Sequence, residues 1–194
     1  MEKLKLHKWS LLALAVLGTI PAMAEGLNYN YIEAAYVDTE IDDNSFDIDG
    51  DGIALGGSVE LGETMFLTAG YSAQEFDFGI DVDQWSVGIG GHIPISDGID
   101  LIGTLSYIDA EVDTRFGSFD DSGYGLSVGV RARITDNVEL EGGINYVDLD
   151  DVGDDTTFGV GGRYYFTPEF ALGAGFAVGS DATAWSIGVR YEFP

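Results

Sequence analysis

Cysteine is absent from the 194 residues. Disulfide frameworks, thiolate metal centres and cysteine nucleophiles are therefore excluded. Basic residues are few, with 8 Lys+Arg against 34 Asp+Glu, so binding of nucleic acid through a basic face is excluded as well. Proline is scarce at 4 residues, while aromatics make up 12%, which is not the composition of a disordered chain. Beyond the N-terminus no apolar run is long enough for a membrane-spanning helix. What is abundant is glycine, 28 residues, roughly twice ordinary usage. A chain rich in glycine and aromatics, with short apolar runs, fits many short strands.

The first 24 residues read as a cleaved secretory signal. Lys3, Lys5 and Lys8 form a basic start, Trp9 to Ile20 an apolar core of 12 residues, and Ala22-Met23-Ala24 a cleavage site. Twelve residues are too few to span a bilayer as a helix. The expected domain is therefore residues 25–194, with no lysine, 5 Arg and 33 Asp+Glu. A net charge of −28 demands solvent exposure or compensating ions.

The rest alternates with period 2. Tyr124, Leu126, Val128, Val130, Ala132 and Ile134 interleave with Gly123, Gly125, Ser127, Gly129, Arg131 and Arg133. Segments 84–93, 138–146 and 185–193 repeat the pattern. One face is apolar; the other is small, with few charges. A solvated sheet face would carry long hydrophilic chains. Small residues suit the crowded inside of a closed barrel whose apolar face meets lipid.

Turn-forming stretches alternate with acidic ones, which predicts ten strands near 27–41, 52–61, 64–77, 83–93, 99–113, 122–134, 138–149, 156–166, 170–179 and 183–193. The expected fold is all-β, a closed antiparallel transmembrane barrel of ten strands, with eight as the alternative count. Short periplasmic turns and acidic extracellular loops would join them. An even count puts both termini on one side. The outward parity carries aromatics in two bands, such as Tyr36, Tyr71, Trp85, Tyr107 and Trp185 near the loops and Tyr164, Phe166, Tyr191 and Phe193 near the turns. Two such bands match the interfacial girdles of membrane barrels.

At the C-terminus, Ser186, Gly188, Tyr191 and Phe193 form a polar-x-Gly-x-x-aromatic-x-aromatic pattern, followed by Pro194. It resembles the signal by which the bacterial barrel-assembly machinery recognises its clients. Ile134-Thr135-Asp136-Asn137-Val138-Glu139-Leu140 is similar to a periplasmic turn of the small outer-membrane β-barrel superfamily that includes the opacity-type proteins. Over residues 25–193 the chain resembles that superfamily. The resemblance implies the bacterial outer membrane, multiple crossings, periplasmic termini, lipid as the surrounding partner and the assembly machinery as a transient one. It does not imply an activity, because one fold hosts many.

Candidate chemistry is sparse. His92, the one histidine after the signal, has inward parity near the turns, far from the outer rim, so no catalytic residue and no enzymatic activity are expected. Asp47-Ile48-Asp49-Gly50-Asp51-Gly52 matches half of an EF-hand loop, but Ser58 stands where the twelfth-position Glu belongs. Asp47, Asp49 and Asp51 remain candidates for weak Ca²⁺ or Mg²⁺ binding. No other cofactor is implied. Of the 33 carboxylates, 22 fall in the loop-side segments, opposed only by Arg115. Arg131, Arg133, Arg163 and Arg190 share the inward parity with Glu60, Glu139, Glu141 and Glu192, and with Glu33. Buried charges must pair, so an interior ion-pair layer is expected toward the turns. Inward glycines such as Gly70, Gly125, Gly175 and Gly188 lead us to expect a wet vestibule in the outer half. The reading is a monomeric, non-enzymatic surface protein with an acidic outer face. A small cation-preferring channel and an adhesion or host-contact protein are the alternatives.

Overall fold

The computed structural model describes residues 27–43 and 46–194, so the signal segment lies outside the described residues. The strands are β1 (Tyr31–Asp43), β2 (Phe46–Glu60), β3 (Met65–Phe76), β4 (Ile80–Ser96), β5 (Ile99–Thr114), β6 (Gly117–Thr135), β7 (Val138–Leu149), β8 (Gly153–Tyr165), β9 (Phe170–Val178) and β10 (Ala182–Glu192). They form one closed antiparallel barrel in sequence order. Closure runs from Tyr31↔Glu192 to Ile41↔Ala182. A closed ladder leaves no edge strand with unpaired backbone groups.

Two expectations change. Residues 42–43, 46–51, 114 and 117–121 are strand rather than loop. The β1–β2 ladder continues to Asp43↔Phe46 and the β5–β6 ladder to Thr114↔Gly117. Strong alternation persists there, so the backbone satisfies itself by pairing and the acidic residues stand on strands. Conversely, β1 starts at Tyr31, and residues 27–30 leave the ladder for a separate task. Ladder shifts at Pro94/Ser96 and Arg133/Thr135 lie next to the turns of the termini end, where bulges are common.

The side chains divide the barrel along its axis. Through the middle, Leu55, Val87, Leu105, Leu126, Ile144 and Ile187 point outward and are exposed. The inward positions there are small or polar, such as Gly88, Ser106, Thr104 and Gln84, or charged. Toward the end away from the termini the pattern inverts. Asp49, Asp81, Glu111 and Asp113 point outward, while Ile41, Ile48, Phe76, Val82, Ala182 and Ala184 pack inside as one cluster. Ile108, Val147 and Leu149 form a second cluster beside them.

Candidate functional site

Four levels divide the lumen, three filled and one open. The first, nearest the termini, is built by the residues preceding β1. Leu27 and Tyr29 pack with Phe66, Ile102, Tyr165 and Ala171. The Tyr29 ring stacks on Phe66 at 4.8 Å and on His92 at 4.0 Å. Its hydroxyl donates to Asp100 Oδ2 at 2.9 Å, and His92 Nδ1 lies 2.8 Å from the same oxygen. Tyr29 N donates to Glu60 Oε1 at 3.2 Å, and Asn28 Nδ2 donates to the Phe193 carbonyl at 2.9 Å. The segment therefore caps the mouth and ties β1, β2 and the end of β10 together. Glu60 is corrected by this geometry. It serves the cap and the adjoining Asn30 rather than an arginine, because the cap stands between it and the charged layer.

The second level is charged. Arg131 Nε donates to Glu139 Oε1, and both side chains are fully buried. Arg133 Nη2 lies 3.2 Å from Glu139 Oε2, and Arg163 Nη1 lies 3.1 Å from Glu139 Oε1. Arg163 also forks onto Glu141, with Nη2 donating to Oε1 at 2.9 Å. Arg190 donates to Glu33 Oε2 through Nε at 3.0 Å and Nη2 at 2.5 Å. Glu192 accepts from the Tyr165 hydroxyl at 2.6 Å. The Arg133 and Arg190 guanidiniums lie over the Tyr165 and Tyr31 rings, at 4.1 and 3.9 Å, a favourable placement for a desolvated cation. The four arginines thus pair directly with Glu33, Glu139 and Glu141, while Glu192 joins the layer through the Tyr165 hydroxyl, so four formal charges of each sign share the buried layer, as burial requires.

The strands explain this geometry. Register sets Arg133 opposite Glu139, Glu139 opposite Arg163, and Glu33 opposite Arg190. β9 contributes no charge but a glycine. A Cβ on Gly173 would sit 2.9 Å from Arg163 Cγ, so only glycine lets that arginine lie along the wall. Sequence parity identifies the charged residues and turns Gly173 inward, but misses the roles of Tyr31 and Tyr165 and the cap. Tyr31 and Tyr165 share the inward column and were the available signal.

The third level, at mid-barrel, is a pocket of about 90 Å³ lined by glycines and alanines, into which Glu33, Ser72, Gln84, Ser86, Glu141 and Ser186 bring polar groups. Glu33 Oε1 faces this region without a protein partner, and a pocket of this size holds a few waters. The fourth level is the pair of apolar clusters at the far end. The wet vestibule expected in the outer half is therefore displaced: apolar side chains fill that half, and the free volume lies at mid-barrel.

Outside, the far end carries the carboxylates. Asp47, Asp49 and Asp51 stand exposed along one strand, alternating with Ile48 and Gly50. Asp51 lies opposite Asp38 and Asp49 opposite Glu40. They are spread over a sheet surface rather than wrapped around a point. Among the described residues no three acidic or histidine side chains converge as a metal site. Like charges so placed repel: Asp113, then Asp120, push the Glu111 carboxyl above its ordinary range. Where this collar meets the apolar belt, tyrosines join the two: Tyr71 donates to Asp83, and Tyr124 to Asp148 at 2.9 Å.

The terminal motif lies along β10. Ser186 and Gly188 face inward, Tyr191 faces outward, and Phe193 N donates to the Asn30 carbonyl at 3.0 Å.

Solved structures share this architecture. A Pseudomonas putida F1 outer membrane channel aligns with a TM-score of 0.53 at 9% identity, covering 90% of this chain and 100% of that one. The beta domain of the Bordetella autotransporter BrkA aligns with a TM-score of 0.53 at 12% identity, covering 84% and 99%. The KdgM porin aligns at 0.46 with 12% identity, over 84% and 99%. No curated protein sequence matches. These likenesses concern the fold. The sequence itself matches the family described as outer membrane protein beta-barrel domain over residues 10–166, and the chain belongs to that family of bacterial outer-membrane barrels.

Proposed function

We propose that this protein is a closed, non-conducting outer-membrane barrel of structural and surface-presenting type, without enzymatic activity. The observation that carries this reading is the filling of both ends of the lumen: the cap and ion layer at one, apolar side chains at the other. On this reading the termini face the periplasm and the carboxylate collar faces outward. The barrel-assembly machinery reads Ser186, Gly188, Tyr191 and Phe193 before the Asn28 and Asn30 contacts cover the end of β10. The mature protein is a monomer in lipid. His92 holds Asp100 and the Tyr29 ring, a positioning task rather than a catalytic one. Ca²⁺ or Mg²⁺ meets the collar, Asp47, Asp49 and Asp51 included, collectively and in about the millimolar range of weak extracellular sites.

Recording in planar bilayers tests this. The inserted parent protein stays silent. Arg131→Ala with Arg163→Ala stays silent too, because the far-end clusters still close the lumen. Large, stable, cation-selective openings in the parent would overturn the reading in favour of a small channel.

A further inference from the structure

Two buried carboxylates lie at the far end of the barrel, Asp121 and Asp155, and their surroundings differ. Asp121 accepts from the backbone N–H groups of Ser122, Asp151 and Val152, at 2.8, 3.2 and 2.9 Å. Asp155 accepts from one group, the Ser180 hydroxyl, which donates to Oδ1 at 2.6 Å. Its Oδ2 is buried without a protein partner. Opposite Asp155 in the ladder stands Val147, which belongs to the apolar cluster with Ile108 and Leu149. No arginine pairs with this carboxylate. Arg115 binds the Phe78 carbonyl, and Arg131, Arg133, Arg163 and Arg190 pair within the charged layer. The described residues include no lysine. A buried carboxylate without compensation is costly, so this one calls for a partner from solution.

The β9–β10 turn builds a place for that partner. β9 ends at Val178, opposite Phe158, whereas β8 begins at Gly153, so the turn lies beside the start of β8. A Cβ placed on Gly179 would lie 2.8 Å from Asp155 Oδ2, 3.6 Å from Thr157 Oγ1 and 3.7 Å from the Ala182 carbonyl oxygen. Three oxygens thus converge beside Gly179, and only glycine leaves the space between them open. Thr157 is 1% exposed, and its hydroxyl too is without a partner. We propose that Asp155, Thr157 and the Ala182 carbonyl bind one monovalent cation of about the size of sodium. Oxygen ligands suit a hard cation. One carboxylate among neutral oxygens balances a single positive charge, as burial requires, whereas a divalent ion would leave an excess. Ser180 is exposed, which gives the ion a path from the water at that end, where the acidic collar concentrates cations.

The test is equilibrium urea unfolding of the mature barrel from lipid vesicles, with sodium chloride exchanged for choline chloride at constant ionic strength. Choline is too large for the site, and constant ionic strength holds the screening of the collar fixed. Once sodium exceeds its dissociation constant, each tenfold rise multiplies the folding equilibrium constant about tenfold, the signature of one ion bound by the folded state alone. Asp155→Asn abolishes this dependence and, in choline, matches or exceeds the parent in stability, because the uncompensated charge is gone. Thr157→Val, close in shape, shifts the dependence to higher sodium, and it decides the case if Asp155→Asn does not fold. Asp49→Asn, on the exposed collar, leaves the dependence unchanged. A parent equally stable in sodium and choline overturns the proposal, as does a sodium dependence that Asp155→Asn and Thr157→Val leave intact. A response to calcium alone, lost in Asp155→Asn, overturns the monovalent assignment. None of these readouts depends on whether the lumen conducts.

Discussion

Within one strand the barrel contains two regions built to opposite rules. Along β5, Leu101 and Leu105 point outward below Tyr107, and Thr104 and Ser106 point inward. Above Tyr107, Asp109, Glu111 and Asp113 occupy the outward column, and Ile108, Ala110 and Val112 the inward one. β1 inverts at Tyr36 and β7 at Tyr146 in the same way. The backbone ladder is continuous across the change; what differs is the solvent outside. Against lipid the apolar side chains leave the interior, which must then satisfy polar groups within itself. Against water they return inside, and the collar behaves as a small soluble barrel stacked on a membrane one. The girdle tyrosines, with hydroxyls on Asp83 and Asp148, stand at the boundary.

The largest effect separating the regions should come from the polar interior of the lipid zone. Arg131→Met leaves Glu139 buried with fewer cationic partners and should destabilise the barrel by about 3–5 kcal/mol, read as the urea midpoint of folding into lipid vesicles. Next, Val130→Arg places a charge in the lipid-facing column and should cost about 2–4 kcal/mol. The same substitution at Ser118, outward in the collar, should be near neutral. Equal costs at the two sites would erase the distinction. In the far-end core, Ile48→Val should cost about 0.5–1.5 kcal/mol by the same unfolding measurement, the signature of a packed interior. The smallest effect belongs to the collar surface. Glu111 titrates above its ordinary range because Asp113 and Asp120 repel its charge, so its proton is bound more tightly in the folded state than in the unfolded one. Stability should therefore gain slightly as pH falls from neutral into the carboxylate range, and Glu111→Gln should remove part of that gain.

The strands of the lipid zone were legible in the sequence because period 2 is the direct consequence of the pleat. Parity alone also placed Arg131, Arg163, Glu139 and Glu141 on one inner surface. The far-end core was written there too, as a change of phase: Ile53 and Leu55 lie in the odd column, while Ile48, flanked by Asp47 and Asp49, lies in the even one. Dense acidic residues disguise that change as a loop. The cap was not legible. Leu27 and Tyr29 share the parity of Tyr31 and read as more strand. Their departure depends on contacts that closure creates, from Phe66 and Asp100 to the Phe193 carbonyl. Glu60 shares the inward parity of the arginines but finds its partners in the cap for the same reason.

The natural absence of cysteine makes one measurement direct. Single cysteines placed along β5 and spin-labelled in lipid report contact with oxygen dissolved in the bilayer or with a water-soluble nickel complex. Labels at Leu101 and Leu105 should meet oxygen, labels at Asp109, Glu111 and Asp113 should meet nickel, and a label at Ile108 should meet neither. Oxygen contact continuing through Asp113, or nickel reaching Ile108, would contradict a barrel that inverts at its girdle and closes above it.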